Sequence, residues 1–278
     1  MPTNYEDRLR RVIDYIYDHA GEDLSLDTLA DVAAMSRFHW HRVFRAMTGE
    51  TCAQAVRRVR LQRAGFMLVN STMSIEEVAK ACGLGKRAAF TRAFTEAYGI
   101  PPGRFRERRR LSPPLPATSS QENTMYDVII EDGSTLRVAA LQHKGDYTRI
   151  AQAFEQFSAI MTGQNLWPHV RGMIGIYYDD PSTTPEDALR SHAGAVVSGD
   201  MKLPDGVEEI TIAPARIAKL RLKGPYSGLP AAYDYLYGEW LQKSGEEPAD
   251  QPSFELYANS PMDTAPDALL TDICMPLK

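Results

Sequence analysis

Three cysteines in 278 residues, Cys52, Cys82 and Cys274, are too few and too scattered for a disulfide frame. They form no C-x-x-C pair, so a zinc ribbon is not expected either, and the pattern fits reduced, packed thiols. No apolar run approaches the ~18–20 residues that a membrane-spanning helix requires. The N-terminus, MPTNYEDRLRR, has no apolar stretch behind its charges, so a secretory signal is not expected. No nucleophile triad, metal-ligand cluster or phosphate-binding glycine loop is in view, which argues against an enzyme and leaves no cofactor or metal to assign. His39 and His41 diverge at i,i+2 on a helix and lack a third ligand.

What is present is uneven. Lys and Arg exceed Asp and Glu by 6 over residues 1–120, whereas the remainder carries −11, giving the overall −5. A basic, arginine-rich front joined to an acidic rear implies two different jobs. The composition breaks at Leu111–Thr124, LSPPLPATSSQENT, whose prolines and small polar residues read as a linker. The chain is therefore expected to be multi-domain: an all-α part over 1–110, a linker over 111–124, and an α+β part over 125–278.

Each part repeats internally. SRFHWHRVFRAMTG (Ser36–Gly49) realigns with KRAAFTRAFTEAYG (Lys86–Gly99), and LQHKGDYTRIAQAF (Leu141–Phe154) with LRLKGPYSGLPAAY (Leu220–Tyr233). Two such pairs imply duplicated units packed together rather than a solenoid. The front duplication reads as two helix-turn-helix units. In the first, a helix over Leu26–Ala34 precedes one whose Trp40, Val43, Phe44 and Met47 form an apolar face. Phe38, His41, Arg42 and Arg45 then point away, a set suited to major-groove bases. In the second, the capping box Ser74-Ile75-Glu76-Glu77 starts a helix that Gly83 breaks. The following helix turns Phe90 and Phe94 inward and Arg87, Ala88, Thr91, Arg92 and Thr95 outward. That face is poorer in bidentate donors, so the first head is expected to supply more base discrimination and the second more backbone anchoring.

Between them, Cys52–Asn70 opens with a second capping box, Thr51-x-x-Gln54, and carries Arg57, Arg58, Arg60 and Arg63, expected to serve affinity for any sequence. A helix of that length is about 30 Å long. One chain could thus reach two successive major grooves, ~34–36 Å apart, without dimerising.

LADVAAMSRFHWHRVFRAMTG, RLQRA, VAKACGL, FTRAF and GIPPGRFR together resemble the AraC/XylS family of DNA-binding regulators over about residues 5–108. The resemblance implies a monomeric, bipartite reader of promoter DNA that contacts RNA polymerase in the cytoplasm, at the nucleoid. By position it places Arg37, Phe38, His41 and Arg42 in the first groove, and Arg87, Ala88, Ala89 and Arg92 in the second.

In the rear, strand-like runs (Leu136–His143, Gly172–Tyr178, Ile217–Leu222, Phe254–Tyr257, Asp272–Met275) alternate with two helical stretches, giving duplicated βαββ halves side by side about a cleft. Period-2 alternation puts Phe254 and Leu256 on one strand face and Glu255 and Tyr257 on the other. Tyr147, Tyr177, Tyr226 and Trp240 sit where they could wall the cleft. One carboxylate among aromatic faces suits an organic cation, while a solvated Glu255 above a purely structural aromatic core remains the alternative.

KGDY, GIYYDDP, LKGPYSGL, PSFELYANSP and TDICMPL are similar to the GyrI-like small-molecule-binding family across 125–278. That resemblance implies an effector pocket containing Glu255 that takes bulky cationic compounds. An AraC-type front with a GyrI-like rear is similar in arrangement to the Rob group of multidrug and stress-response regulators. The chain is thus read as a regulator binding promoter DNA and a small hydrophobic effector, monomeric on DNA or dimeric through the rear part. Two other readings stand beside it: a hydrolase of strained electrophiles using Glu255 as general base, and a protein-interaction module.

Overall fold

The structure, a computed structural model, describes residues 5–108 and 126–278. The expected linker, 111–124, lies outside them, as do Arg109 and Arg110. The described residues form two compact units, one of 5–35 and 48–108 and the other of 36–47 and 126–278.

Residues 5–108 are helical: α1 (Tyr5–Asp18), α2 (Leu26–Ala33), α3 (Trp40–Thr48), α4 (Cys52–Asn70), α5 (Ile75–Ala81), α6 (Arg87–Tyr98) and α7 (Pro102–Arg108). Both anticipated capping boxes form. The Thr51 hydroxyl accepts from the Gln54 amide while the Gln54 side chain accepts from the Thr51 amide, and Ser74 and Glu77 repeat the exchange. Each satisfies two N–H groups that a helix start leaves without partners. Ala34, with φ 52°, ends α2 in the left-handed region. Leu61, Ala64 and Leu68 of α4 share a core with Val78, Ala79, Phe90, Phe94 and Phe105.

The α4 arginines have partners within the helical unit that no local sequence pattern signals. Arg60 donates to the carbonyls of Ala20, Gly83 and Glu22, and Arg63 to those of Tyr17 and Asp18. Arg58 forks onto Glu50 and Arg57 meets Glu96 at 2.6 Å. Helix ends leave carbonyls unsatisfied, and a long guanidinium reaches them more readily than an amide can. These side chains tie the helical unit together.

The rear is one eight-stranded antiparallel sheet with helices: β1 (Val128–Gly133), β2 (Leu136–Lys144), α8 (Ala151–Gly163), β3 (Val170–Tyr177), β4 (Arg190–Val197), β5 (Glu208–Ile212), β6 (Ala215–Lys223), α9 (Leu229–Tyr235), α10 (Leu241–Ser244), β7 (Ser253–Tyr257) and β8 (Leu270–Leu277). A π-helical turn, Leu236–Trp240, joins α9 to α10. The strand order β1-β6-β8-β7-β3-β4-β2-β5 sets the two repeats side by side, meeting at the β3–β7 pair. The edge strands are exchanged: β1 completes the second repeat and β5 the first. Sequence reading did not find β1, β4 or β5.

Alternation divides the sheet. Val138, Ala140, Ile174, Ile176, Phe254 and Cys274 build a core on one face. On the other, Ala139 and Ala195 pack with Phe157 and Met161 of α8. Glu255, next to Phe254, is thereby directed to the helix-bearing face.

Candidate functional site

The repeats superpose in sequence at an offset of 79 or 80 residues, and the local geometry follows. Gly145 (φ 119°) and Gly224 (φ 134°) make the same turn, a conformation open to glycine and strained for other residues. Their amides donate to the Leu189 and Leu269 carbonyls, 80 residues apart. Asp179 accepts from the Arg190 amide as Asn259 accepts from that of Leu270. Gly175 and Glu255 are equivalent by this count, as are Tyr177 and Tyr257.

Glu255 lies at the centre of the sheet, 3% exposed. Tyr233 of α9 donates to its Oε1 at 3.1 Å and Tyr257 to its Oε2 at 2.8 Å. With its proton directed at Glu255, Tyr257 accepts from the Tyr177 hydroxyl at 2.9 Å. Phe154 of α8 packs edge-on against Tyr257, with ring centroids 5.4 Å apart, and Tyr226 does so at 5.8 Å. Tyr147 packs on Tyr177 at 4.9 Å and anchors its hydroxyl on the Arg190 carbonyl. Burial pushes the Glu255 carboxyl up to about 7, against the hydrogen bonds from Tyr257 and Tyr233 and the positive charge of Arg42, which favour the anion. Burial, and next the Glu255 charge, hold Tyr177, Tyr233 and Tyr257 well above the ordinary phenol range.

The structure thus brings together Glu255, Tyr147, Tyr177, Tyr226 and Tyr257. Trp240, expected among them, ends the π-helical turn and enters none of these ring pairs. Tyr233 and Tyr237 were missed, although the repeat alignment carried a signal for the first: it sets Tyr233 opposite Phe154, and both reach the site. Tyr237, on the next turn of the same helical stretch, is fully buried and stacks with Tyr233 at 6.3 Å.

Arg42, in α3, belongs to the same compact unit. Its guanidinium carbon lies 4.4 Å from the Tyr233 ring centroid and 5.5 Å from that of Tyr237. A guanidinium over a desolvated aromatic face gains about 2 kcal/mol. Arg45 approaches Asp234 at 3.9 Å. Arg37 is exposed, its guanidinium 5.4 Å from the Phe38 ring, and His41 is half-buried. On α6, Arg87, Ala88 and Arg92 are exposed and Thr91 is half-buried, so the second expected reading face is open. Among the described residues no cluster of His, Cys, Asp or Glu could hold a metal ion, and no helix is long and apolar enough to cross a membrane.

Comparisons with known proteins match the two parts separately. Residues 126–278 match the GyrI-like small molecule binding domain, and residues 29–108 a helix-turn-helix domain. The probable transcription factor PqrA of Proteus vulgaris is 35% identical over 86 residues, 31% of this chain and 70% of that protein. The uncharacterized HTH-type transcriptional regulator YbfP of Bacillus subtilis (strain 168) is 32% identical over 102 residues, 37% of this chain and 35% of its own length. The RCS-specific HTH-type transcriptional activator RclR of Escherichia coli (strain K12) is 33% identical over 38% of each chain. The chain thus spans little more than a third of the latter two relatives. The crystal structure of the EcmrR C-terminal domain superposes with a TM-score of 0.49 at 16% identity, over 56% of this chain and 99% of that one. By its matched domains, the chain belongs to the GyrI-like small molecule binding family and carries that domain behind a helix-turn-helix domain of the AraC type.

Proposed function

We propose that this protein is a DNA-binding transcription regulator whose rear domain, 125–278, senses a small hydrophobic cation. The observation that carries the sensing is Glu255, a buried carboxylate held by two tyrosine hydroxyls and surrounded by aromatic rings. Ring faces and a desolvated anion both favour positive charge, and the rings provide apolar area. Tyr147, Tyr177, Tyr226, Tyr233 and Tyr257 are the binding residues of this reading. The DNA half rests on the paired helix-turn-helix units in 1–110. There Arg37, Phe38, His41, Arg42 and Arg45 address one groove and Arg87, Ala88, Thr91 and Arg92 the next, with RNA polymerase as the downstream partner and the cytoplasm as the site of action.

The test is fluorescence anisotropy on the DNA upstream of this protein's own gene against scrambled DNA, over a salt series. Preference for the upstream DNA, with log K falling by about 0.9 per phosphate contacted, supports the regulator. Equal binding to both sequences, repeated with fragments selected from the genome, overturns it.

One observation favours a second reading. A carboxyl raised to about 7 is poised to take up and release a proton at neutral pH, as a general base must. Mass spectrometry after incubation with strained electrophiles separates the two: turnover marks a hydrolase, and intact compound a sensor.

A further inference from the structure

The cation site has an occupant that is part of the chain. Arg42 lies on the faces of Tyr233 and Tyr237, and the hydroxyl of that same Tyr233 donates to Glu255. Its Nη2 is 3.4 Å from the Asp179 carbonyl. Among the described residues nothing donates to the buried Oδ2 of Asp180, whose charge Arg42 also feels. These groups are what an organic cation would seek: two ring faces, a carbonyl and two carboxylates.

The rest of the segment is fastened to the same domain. The Ser36 hydroxyl donates to Asp250 at 2.9 Å. His39, fully buried, donates from Nε2 to the Gln251 carbonyl at 2.9 Å and accepts at Nδ1 from Tyr237 at 2.7 Å. Burial, helped by Arg42, brings His39 down to about 3, so this link is neutral and constant near pH 7. Arg45 faces Asp234, and Ala46 lies so close to Gly238 that a Cβ there would come within 2.9 Å of the Ala46 methyl. Arg42 and Arg45, two of the side chains assigned to the first DNA groove, thus rest on carboxylates and ring faces as they would on phosphates and bases.

We propose that Arg42 is the resident occupant of the Glu255 site, so that a cationic effector and this arginine compete for it, and effector binding frees the first DNA-reading helix. This rests on the sensing reading above and adds its coupling. The effector gains from the rings and Glu255 only by displacing Arg42, and an Arg42 in the site is not on a base. Differential binding of that kind is the requirement for allosteric coupling.

The experiment uses the full chain, with tetraphenylphosphonium as a permanently charged aromatic probe. Two variants are compared with wild type: Arg42→Ala empties the site, and Gly238→Ala sets a methyl against Ala46, to which the three atoms nearest that position belong. Hydrogen exchange of the α3 amides in the ligand-free proteins reads the tether, and calorimetry reads probe affinity. Faster α3 exchange in both variants, with the probe bound at least tenfold tighter than by wild type, is the expected result. Unchanged α3 exchange in both variants overturns the tether whatever the probe does. Faster exchange with equal or weaker probe affinity overturns the competition. Faster exchange with no probe binding to any of the three proteins overturns the sensing reading, and the competition with it. In wild type, the probe should itself speed α3 exchange, and slower exchange overturns the proposal.

Discussion

Gly175 and Glu255 face each other across the central β3–β7 pair, and they hold equivalent positions in the two repeats. The duplication therefore supplies one carboxylate where a symmetric site would have two. Two would repel, and at that separation one would stay protonated. The glycine also makes room. A Cβ on Gly175 would lie 2.9 Å from the Tyr257 hydroxyl and 3.0 Å from the Tyr177 ring. The lost symmetry lets the two equivalent tyrosines meet over Glu255.

Gly175→Ala should therefore part the Tyr177 and Tyr257 hydroxyls. Overpacking of this kind costs about 1–3 kcal/mol, read as a lower urea midpoint, and probe affinity should fall with it. A midpoint equal to wild type would show that the tyrosines move aside freely.

In Arg42→Ala, where no resident cation shares the site, affinity for a cation should rise with pH until Glu255 is ionised, each pH unit below that point weakening binding by up to tenfold. In wild type, ionisation favours Arg42 and the incoming cation alike, and the dependence should be shallower. The groups facing Glu255 are Tyr177, Tyr233, Tyr257 and Arg42, and none of these changes charge near neutrality. The sign for stability is opposite. A carboxyl whose folded pKa exceeds its unfolded value holds its proton longer in the folded state, so stability is greatest below about 4.5 and declines as pH rises to about 7. Glu255→Gln should remove both dependences, measured by calorimetry and by urea unfolding across pH 4–8.

Arg60→Ala should harm the fold before it harms DNA binding. Three carbonyls, of Ala20, Gly83 and Glu22, lose their donor. A loss of about 1–3 kcal/mol follows, measurable by thermal unfolding. Unchanged stability with weakened DNA binding would return this arginine to the phosphates.

Arg92, exposed on α6, should behave in the opposite way. Arg92→Ala is expected to leave the melting temperature in place and weaken specific binding by about 1–3 kcal/mol if it contacts a base. Equal weakening on scrambled DNA would make it a phosphate contact instead.

Ser74→Ala should cost about 1 kcal/mol by opening a capping box. The loss should show as faster amide exchange at the start of α5.

The helices were legible because their signals are local. Thr51 with Gln54 and Ser74 with Glu77 announce two helix starts within four residues each, and the stripe of Phe90 and Phe94 shows which side of α6 is buried. Glu255 was legible through alternation, since Phe254 had to face a core. The partners of Glu255 were only partly so. Tyr147 and Tyr226 sit on a motif that repeats, whereas Tyr233 and Tyr237 are placed by the helical stretch over the sheet, a tertiary fact. Trp240 was placed by its repeat-related position, but the second repeat's helical stretch passes through a π-helical turn over Leu236–Trp240 where α8 stays α-helical, which shifts that equivalence. The arginines of α4 read as a basic face, but a guanidinium reaches helix ends many residues away, and no local pattern reveals that. β1 and β5 lack clear alternation because most of their residues are exposed and have no core to face.

The exchange of edge strands bears on how the rear domain comes to exist at all. Val128 pairs with Leu220, some ninety residues later, and β5 returns to β2 across α8, β3 and β4. Neither repeat completes its set of strands from its own residues, so a chain cut between β4 and β5 leaves two pieces with a missing edge each. Such distant pairings make formation slow. The cluster around Glu255 at the β3–β7 seam is therefore incomplete until the second repeat has been made.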